Sequence, residues 1–317
     1  MSSKFLSAFL SAGLTFAWVG VGVGAVTVFN STPSLAAKSD TRFDEARALF
    51  TDRKYKQAYD VAAPLANAGK PDAQAMLGSL FENGWGVKRN IKTAAVWYLA
   101  AAKQKHVGAM FSVGMIYISG RAGPPKPKLG ISWLEKAAQG GHVPAMHNLA
   151  LIYSGAGGVK LDWALAIKWF TKASDKGFGL SQYNLGLLHL EGKGVKKDPI
   201  KAAEWFKRAA LKGVSDAALD YGVMVFRGEG VQRDEKIGAE WLLFAAKSGN
   251  VIAQNRMAKL YMVGRGVKQD TVEAIKWHLL ASQNGRSDPK LDAFSSSATK
   301  DQKSQARARA KAFGKKK

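Results

Sequence analysis

Bulky and small apolar residues recur along this chain with a constant spacing of 36 residues. Six tryptophans keep this spacing without a break: Trp97, Trp133, Trp169, Trp205, Trp241 and Trp277. An alanine follows each tryptophan four residues later, at Ala101, Ala137, Ala173, Ala209, Ala245 and Ala281. A fixed period in this range is typical of stacked supersecondary units, because one such unit cannot bury its apolar face alone. The pattern therefore predicts a repeat protein, a class that binds partners more often than it catalyses reactions.

Each repeat carries the signals of two short helices. Asp198 stands before Pro199 and an apolar-periodic stretch to Leu211, which predicts an aspartate N-cap and a proline at the first helical position. The same N-cap aspartate recurs at Asp162, Asp234 and Asp270. Glu273 lies three residues after Asp270, so this pair predicts a capping box.

The other helix of each repeat precedes a glycine-rich turn. One example runs from Ser181 to Glu191. The turn has the form Gly-x-Gly in four repeats: Gly84-Trp85-Gly86, Gly192-Lys193-Gly194, Gly228-Glu229-Gly230 and Gly264-Arg265-Gly266. Its glycines tolerate the positive φ that closes a helical hairpin. In the second helix the tryptophan and alanine columns share one face. We therefore expect each tryptophan to pack in the core, beside a small alanine that lets a neighbouring backbone come close.

Taken together, these columns resemble the Sel-1-like repeat, a relative of the tetratricopeptide repeat. The shared pattern is alanine, Leu-Gly-x-x-Tyr, Gly-x-Gly-Val, Asp, Trp-Tyr or Trp-Phe, and Ala-Ala-x-x-Gly, and it runs from Ala73 to Gly285. Two repeats depart from it in their turns, at residues 121–126 and 155–158. The resemblance implies an all-α fold, a right-handed α-solenoid of helix-turn-helix repeats. It also implies a scaffold for protein interactions of the exported bacterial type.

The pattern divides the chain into six segments. We expect a signal peptide or N-terminal anchor, a linker, a degenerate helical hairpin, six repeats, a second linker, and a C-terminal basic helix with its tail. Their bounds are 1–36, 37–42, 43–72, 73–286, 287–297 and 298–317.

The N-terminus predicts export. An apolar run from Phe5 to Phe29 follows Lys4, and the small residues Ser34-Leu35-Ala36 form a cleavage signal after Ala36. This places the mature protein in the periplasm or outside the cell. The run is also long enough to span a bilayer, so residues 5–29 could instead anchor the chain in the inner membrane. The chain has no cysteine, and export therefore raises no question of disulfide formation.

Composition adds an excess of positive charge. The 47 lysines and arginines outnumber 24 aspartates and glutamates, for a net charge of +23. An anionic partner is therefore expected. Nucleic acid is the generic partner of such a chain, but an exported protein meets little of it and no nucleic-acid-binding motif is present. We expect envelope proteins instead, with anionic surfaces as a further candidate and no nucleic acid.

Part of this charge recurs at the turns. Stacking would align these residues as a basic edge: Lys88, Arg89, Lys160, Lys196, Lys197, Arg233 and Lys268. The alternative is that turn lysines only keep the array soluble. The C-terminal tail adds seven basic residues after Asp301, and its alanine-rich spacing favours a helix to Phe313. That helix either docks on anionic surfaces or caps the end of the array.

No signature of catalysis, cofactor binding or metal binding is found in the sequence. The histidines fall in repeat columns instead of a cluster, and His106 and His142 share one column. The Gly-x-Gly turns lack the Lys-Ser/Thr ending of a phosphate-binding loop, and neither a nucleophile elbow nor a zinc-protease helix is present. The chain is therefore predicted not to be an enzyme. Family relatives proposed to act on β-lactams have regularly spaced cysteine pairs, and their absence here disfavours a β-lactam hydrolase-like function.

The first helices of the repeats predict a partner surface. On the side away from the tryptophan-bearing helix they have apolar residues: Phe111, Met115, Ile118, Leu151, Tyr183, Leu187, Leu190, Leu219, Val223, Phe226 and Met262. First helices line the concave side of a tetratricopeptide-like superhelix, so these residues could form a groove for a peptide or helix of a partner. The alternative is that first helices are packed on all sides between neighbouring repeats.

The sequence thus predicts an exported, non-enzymatic scaffold that binds envelope proteins as an adaptor or regulator. The alternative is a basic envelope protein that binds anionic cell-wall or membrane surfaces. Salt distinguishes the two, because exposed charge is screened as salt rises whereas an apolar groove is comparatively insensitive.

Overall fold

The computed structural model of the chain describes residues 41–156 and 159–314. The predicted signal peptide or anchor, its cleavage site, and residues 37–40 of the first predicted linker lie outside the described residues. So do two glycines of the turn at 155–158 and the last three lysines. Within the described ranges the chain forms helices and no strands. None of the described helices is long and apolar enough to cross a membrane.

The helices come in pairs along the chain. An N-terminal pair, α1 Thr41–Thr51 and α2 Tyr55–Asn67, precedes the repeats. The first helices of the six repeats are α3 Pro71–Asn83, α5 Val107–Ser119, α7 Val143–Leu151, α9 Gly179–Glu191, α11 Ser215–Arg227 and α13 Val251–Val263. The second helices are α4 Ile91–Lys103, α6 Pro127–Gln139, α8 Trp163–Asp175, α10 Pro199–Leu211, α12 Glu235–Lys247 and α14 Thr271–Gln283. The helices after the repeats are α15 Pro289–Ser297 and α16 Lys300–Gly314.

The chain divides into two compact units, residues 1–166 and 167–317. In the first unit, Phe43, Phe50 and Leu65 of the N-terminal pair pack with Met76 and Leu80 of α3 in one apolar cluster. In the second unit, a large cluster extends from the end of α10 to α16 and includes Leu242, Met257 and Trp277. The predicted all-α repeat fold, with its 36-residue period, is confirmed.

The predicted aspartate caps begin the second helices. Asp198 Oδ1 accepts a hydrogen bond from the Lys201 N–H at 3.0 Å, and Asp234 Oδ1 accepts one from Ile237 at 2.9 Å. Only half of the predicted capping box at Asp270 forms, because Asp270 Oδ1 accepts from the Glu273 N–H at 2.9 Å but the Glu273 carboxylate makes no return bond. The Asp270 N–H donates to the Tyr261 carbonyl, and the Glu273 carboxylate accepts from two cationic side chains, Lys276 and Arg309, at 2.9 Å each. Glu273 therefore lies beside α16 instead of reaching back to the cap.

The histidine column caps the first helices in the same way. His106 Nδ1 accepts from the Ala109 N–H at 3.0 Å, and His142 Nδ1 accepts from Ala145 at 3.2 Å. Asn250, in the same column of the last repeat, caps α13 through its side-chain oxygen. The two histidines are therefore explained by helix capping.

The glycines of the turns permit a close contact between successive repeats. Gly228 and Gly230 both have positive φ, at 77° and 73°. A Cβ on Gly230 would collide with the carbonyl oxygen of Pro199, at the start of α10. The turn of one repeat therefore rests against the second helix of the repeat before it, at a distance that excludes any side chain.

The tryptophans do not fill the core as expected. Trp169 and Trp277 are buried, but Trp97, Trp133, Trp205 and Trp241 are partly exposed. The residue after each tryptophan is the deeply buried one, with an exposed fraction of 0–4%: Tyr98, Leu134, Phe170, Phe206, Leu242 and His278. In four repeats the reason lies in the facing first helix, which has a glycine opposite this position: Gly78, Gly114, Gly186 and Gly222. A Cβ on Gly186 would lie 2.5 Å from the ring of Phe206, and one on Gly78 would lie 2.6 Å from Tyr98.

The tryptophan rings lie at the flank of the second helices, and in three repeats a cation three residues later covers the ring: Lys136, Lys172 and Arg208. Lys136 Nζ lies 4.4 Å from the centre of the Trp133 ring, and the Arg208 guanidinium lies 4.8 Å from that of Trp205. Such cation–π contacts suit a ring that is half exposed to water.

Residues 287–297, which were expected to form a linker, contain helix α15. Asp288 caps it by accepting from the Lys290 N–H at 3.2 Å, and Pro289 occupies its first turn. Leu291 is buried and anchors the helix to the core of the second unit. The Asp-Pro start signal is the one that begins α10, but here it lies outside the phase of the repeats.

The C-terminal basic helix α16 packs against α14. Its buried side chains are Ala306 and Ala310, and Phe313 meets Trp277 edge to face at 5.4 Å. The opposite side of the helix leaves Arg307 exposed. The helix thus covers the apolar side of the last repeat and presents positive charge outward.

Candidate partner-binding surface

No side-chain cluster in the described part of the chain could hold a metal ion. His147 and His278 are buried at separate places in the fold. His278 Nε2 lies 2.8 Å from Asp292 Oδ1 of α15. A buried carboxylate in the first unit, Glu82, accepts a hydrogen bond from the Tyr98 hydroxyl and pairs with Arg121, both at 2.9 Å. Burial and this carboxylate raise the pKa of Tyr98 well above its usual range. Glu82 is thereby held between two partners inside the fold.

The eleven predicted groove residues all lie on first helices. In the first unit these are Phe111, Met115 and Ile118 of α5 and Leu151 of α7; in the second they are Tyr183, Leu187 and Leu190 of α9, Leu219, Val223 and Phe226 of α11, and Met262 of α13. Ile118 and Leu219 are buried, and the other nine are partly exposed. In each unit, the first helices therefore present an apolar face that is neither fully open nor fully covered.

The second unit shows how this face is held. Tyr183 and Leu187 of α9 pack against a cluster built around Phe206 and Tyr221. The Tyr183 ring lies 5.5 Å from that of Phe206, and its hydroxyl donates to Asp220 Oδ2 at 3.0 Å. One side of Tyr183 and of Leu187 thus contributes to the core, while the other side remains accessible.

This face contains an apolar pocket of about 150 Å³ formed by α11, α12 and α13. Two predicted groove residues, Val223 and Phe226, line it together with Leu242 and Leu260. Three cationic residues complete the lining: Arg227, Arg256 and Lys259. The ring of Phe226 also lies 4.9 Å from the Arg265 guanidinium.

The three cations were missed when the groove was predicted from the sequence. Lys259 falls in a column that contributes four groove residues in earlier repeats: Met115, Leu151, Leu187 and Val223. Arg256 falls in the column of Asp220. The signal that could have found them is this break in the columns, because a search for apolar residues passes over it.

A partly buried acid near the pocket, Asp220, affects the charge of its Arg256. Burial raises the pKa of Asp220 to about 6; the hydrogen bond from Tyr183 opposes this rise, the carboxylate of Asp216 adds to it, and the charge of Arg256 opposes it. Burial lowers the pKa of Arg256, and the positive charge of Arg227 lowers it further. The site therefore combines an apolar lining with the guanidinium of Arg256, which has little negative charge around it.

Partners for these cations are few. Lys259 Nζ lies 2.5 Å from Asp288 Oδ2, and Arg227 pairs with the exposed Glu229 at 3.3 Å. The Nε of Arg256 is buried and, within the described part of the chain, has no hydrogen-bond partner. Buried donors are usually satisfied, so this unpaired Nε is an exception that leaves the guanidinium short of acceptors.

The seven residues of the predicted basic edge are all exposed. In the first unit, Arg89 Nε donates to the Glu82 carbonyl at 3.0 Å. In the second, Arg233 pairs with Glu235, which also holds Arg265 through hydrogen bonds of 2.7 and 2.9 Å. No described carboxylate pairs with the second unit's turn lysines: Lys196, Lys197 and Lys268. Alignment of all seven along one edge stays a prediction.

Known proteins are similar to this chain over the region of the repeats. The family model described as Sel1 repeat matches residues 71–106, 107–142, 143–178, 179–214, 215–250 and 251–285. The crystal structure of c5321, a protective antigen present in uropathogenic Escherichia coli strains and displaying an SLR fold, is 28% identical. It has a TM-score of 0.71, and the match covers 86% of this chain and 59% of that one. The crystal structure of a Sel1 repeat protein from Oxalobacter formigenes is 26% identical with a TM-score of 0.66, over 78% of this chain and 99% of that one.

Proposed function

This chain belongs to the Sel1 repeat family, whose members generally mediate protein–protein interactions, and we propose that it is a non-enzymatic scaffold in the bacterial envelope. In this proposal it binds other envelope proteins as an adaptor or regulator. Family members are typically scaffolds without catalytic activity. The observation that carries the proposal is the partly accessible apolar face of the first helices.

That face has the properties of a binding surface. Its residues are held in place by packing on one side, so an approaching segment meets side chains that are already ordered. Preorganised apolar anchors contribute most of the affinity in grooves that bind helices or extended peptides. Tyr183 and Leu187 illustrate this, since both contact the core of the second unit and are still partly exposed.

The envelope location rests on the N-terminal sequence. The apolar run of residues 5–29 and the small residues before Ala37 support export. Mass spectrometry of the protein purified from its native cell tests this. A mature chain that begins at Ala37 in the periplasmic fraction supports export with cleavage, whereas an intact leader in the membrane fraction supports the anchor.

A second function is favoured by the distribution of exposed charge. Arg307 of α16 and the turn lysines of the second unit are exposed, and the net charge of the chain is +23. These residues suit a basic protein that binds anionic cell-wall polymers or membrane surfaces. In this case the apolar face would have no partner.

Crosslinking in the envelope fraction, followed by a pull-down of the full chain with low-salt and high-salt washes, separates the two functions. We expect Leu187→Glu to abolish capture of the principal partner and Leu211→Glu to leave it unchanged. Leu211 is a matched control, because it is an exposed leucine on the second helix of the same repeat. Capture by the apolar face should also survive the high-salt wash.

Circular dichroism melting of both variants accompanies the pull-down. A folded Leu187→Glu chain that still captures the same partner, and loses it at high salt, would favour the anionic-surface function. A sharp fall in its melting temperature would instead show that this column packs between helices, because an unpaired buried carboxylate is strongly destabilising.

A further inference from the structure

The pocket formed by α11, α12 and α13 differs from the rest of the apolar face in its charge. Elsewhere on this face the predicted groove residues are apolar, apart from the hydroxyl of Tyr183. Here Arg227, Arg256 and Lys259 line a depression whose other walls are aliphatic or aromatic. A partner segment that is only apolar would desolvate these charges without offering an acceptor to any of them, which is unfavourable.

The guanidinium of Arg256 determines which charge the pocket would bind. It lies among positive groups, since Arg227 and Arg286 both act to lower its pKa, and Asp220 is the one carboxylate that offsets them. Its Nε has no hydrogen-bond partner in the described structure. A guanidinium presents its donors as a planar fork that matches a carboxylate.

We propose that this pocket binds an acidic segment of the partner protein. An apolar side chain of the segment fills the space between Val223, Phe226 and Leu260. A carboxylate close to it in the segment accepts hydrogen bonds from Arg256, and the charges of Arg227 and Lys259 add to the attraction. The inference rests on the proposed function, because it names the chemistry of the segment that the apolar face would hold.

Charge complementarity selects this occupant over the others. A second copy of this chain carries an excess of positive charge, and its basic C-terminal helix would be repelled by the pocket. A flat anionic surface could neutralise the cations but could not fill an apolar depression of about 150 Å³. A segment with both an aspartate or glutamate and an apolar residue satisfies both features.

Selection from a phage-displayed library of random peptides on the full chain tests the proposal. We expect the enriched peptides to share an apolar residue with an aspartate or glutamate within one helical turn of it. The winning peptide is then synthesised with a fluorescent label, and its affinity is measured by fluorescence anisotropy. Arg256→Gln should weaken binding about tenfold or more, as should replacing the peptide carboxylate by its amide.

Two further variants keep the test decisive. Arg227 is exposed, so Arg227→Glu is expected to fold and to weaken binding even if Arg256→Gln proves unstable. Lys207→Gln removes a charge from the exposed side of α10, outside the pocket, and should leave the affinity within about twofold. The inference is overturned if no peptide is enriched, if enriched peptides lack acidic residues, or if binding is the same in Arg227→Glu and Lys207→Gln.

The outcome also separates this inference from the proposed function. Peptides that lose binding in Leu187→Glu but keep it in both pocket variants would leave the apolar face as the binding surface and reject the pocket. Peptides whose affinity is the same for all of these variants would reject both the pocket and the apolar face as binding surfaces.

Discussion

Each second helix presents two adjacent large side chains to its surroundings, and the second of them is the core residue, although in α8 and α14 the tryptophan is buried as well. In α10, Phe206 is fully buried against Gly186, whereas Trp205 lies at the flank with Arg208 over its ring. Neighbouring helical positions point about 100° apart, so both cannot face the same partner helix. Removing the first opens a closed cavity, while removing the second only widens a groove that water already reaches.

The two substitutions should therefore differ in their cost. Phe206→Ala should lower the free energy of unfolding by about 3–5 kcal/mol, the usual range for a buried aromatic residue. Trp205→Ala should cost clearly less, because its ring is partly exposed. Urea unfolding followed by circular dichroism, with limited proteolysis of the adjacent repeats, measures both. Equal losses in the two variants would contradict the assignment of the core column.

Asp220 should make stability depend on pH. Its pKa is raised from 3.8 to about 6, so the folded state binds the proton more tightly than the unfolded state does. The stability gained from protonation is complete below the ordinary pKa and is lost as the pH rises through about 6. At neutral pH, Asp220→Asn should remove this loss and stabilise the chain by up to about 3 kcal/mol.

The difference between Asp220→Asn and the unaltered chain should shrink as the solution is acidified toward pH 4. Thermal melting of the two proteins side by side measures it, and the comparison cancels the histidines that titrate in the same range. The amide oxygen of asparagine can still accept the hydrogen bond from Tyr183. A constant difference across the pH range would show that Asp220 does not titrate as described.

At the scale of the helix, the starts and the turns carry the specific interactions. Three first helices are capped by residues of one column, His106, His142 and Asn250, and four second helices are capped by aspartates, Asp162, Asp198, Asp234 and Asp270. A histidine accepts the capping hydrogen bond only while its Nδ1 is unprotonated. The cap made by His142 is therefore sensitive to acid, whereas the same cap made by Asn250 is not.

His142→Asn tests this difference. Burial, with a smaller effect from His106, lowers the pKa of His142 to about 4. The stability that its neutral form contributes is complete above pH 6.5 and is lost as the pH falls toward 4. The asparagine variant should match the unaltered chain near pH 7, apart from losing the stack on Phe111, and should melt higher at acidic pH.

His142→Ala is the control for the cap itself. It should cost about 1 kcal/mol at neutral pH, because the first-turn N–H loses its acceptor. An asparagine variant that is as acid-sensitive as the unaltered chain would contradict the link between the cap and the pH dependence.

The turn glycines can be tested with a matched pair. Gly230 and Gly213 both have positive φ, at 73° and 84°, but only Gly230 faces the backbone of the preceding repeat. Gly213→Ala should cost about 1–2 kcal/mol, the usual penalty of a left-handed conformation. Gly230→Ala should cost substantially more, because the added Cβ collides with Pro199. Thermal unfolding and proteolysis of both variants distinguish the two contributions, and equal destabilisation would contradict the close contact.

At the scale of the whole chain, the regularity of the sequence predicted the features that all repeats share. It missed the features that occur in one repeat alone. The period located all six helix pairs and the aspartate caps, because these depend on short-range signals repeated in phase. It did not predict α15, whose start signal lies out of phase, or the cations at Arg256 and Lys259. Columns are averages over repeats, and a binding site is built from the residues that depart from them.

Helix α16 also covers the end of the repeat array. It places Ala306, Ala310 and Phe313 on the side of the last repeat where another repeat would otherwise stack, and it shows solvent a charged surface. An array without such a helix ends in an adhesive face equivalent to its internal interfaces, which favours head-to-tail polymerisation of separate molecules. The terminal helix thus covers the apolar side of α14 on which a further repeat, or the end of a second molecule, would otherwise stack.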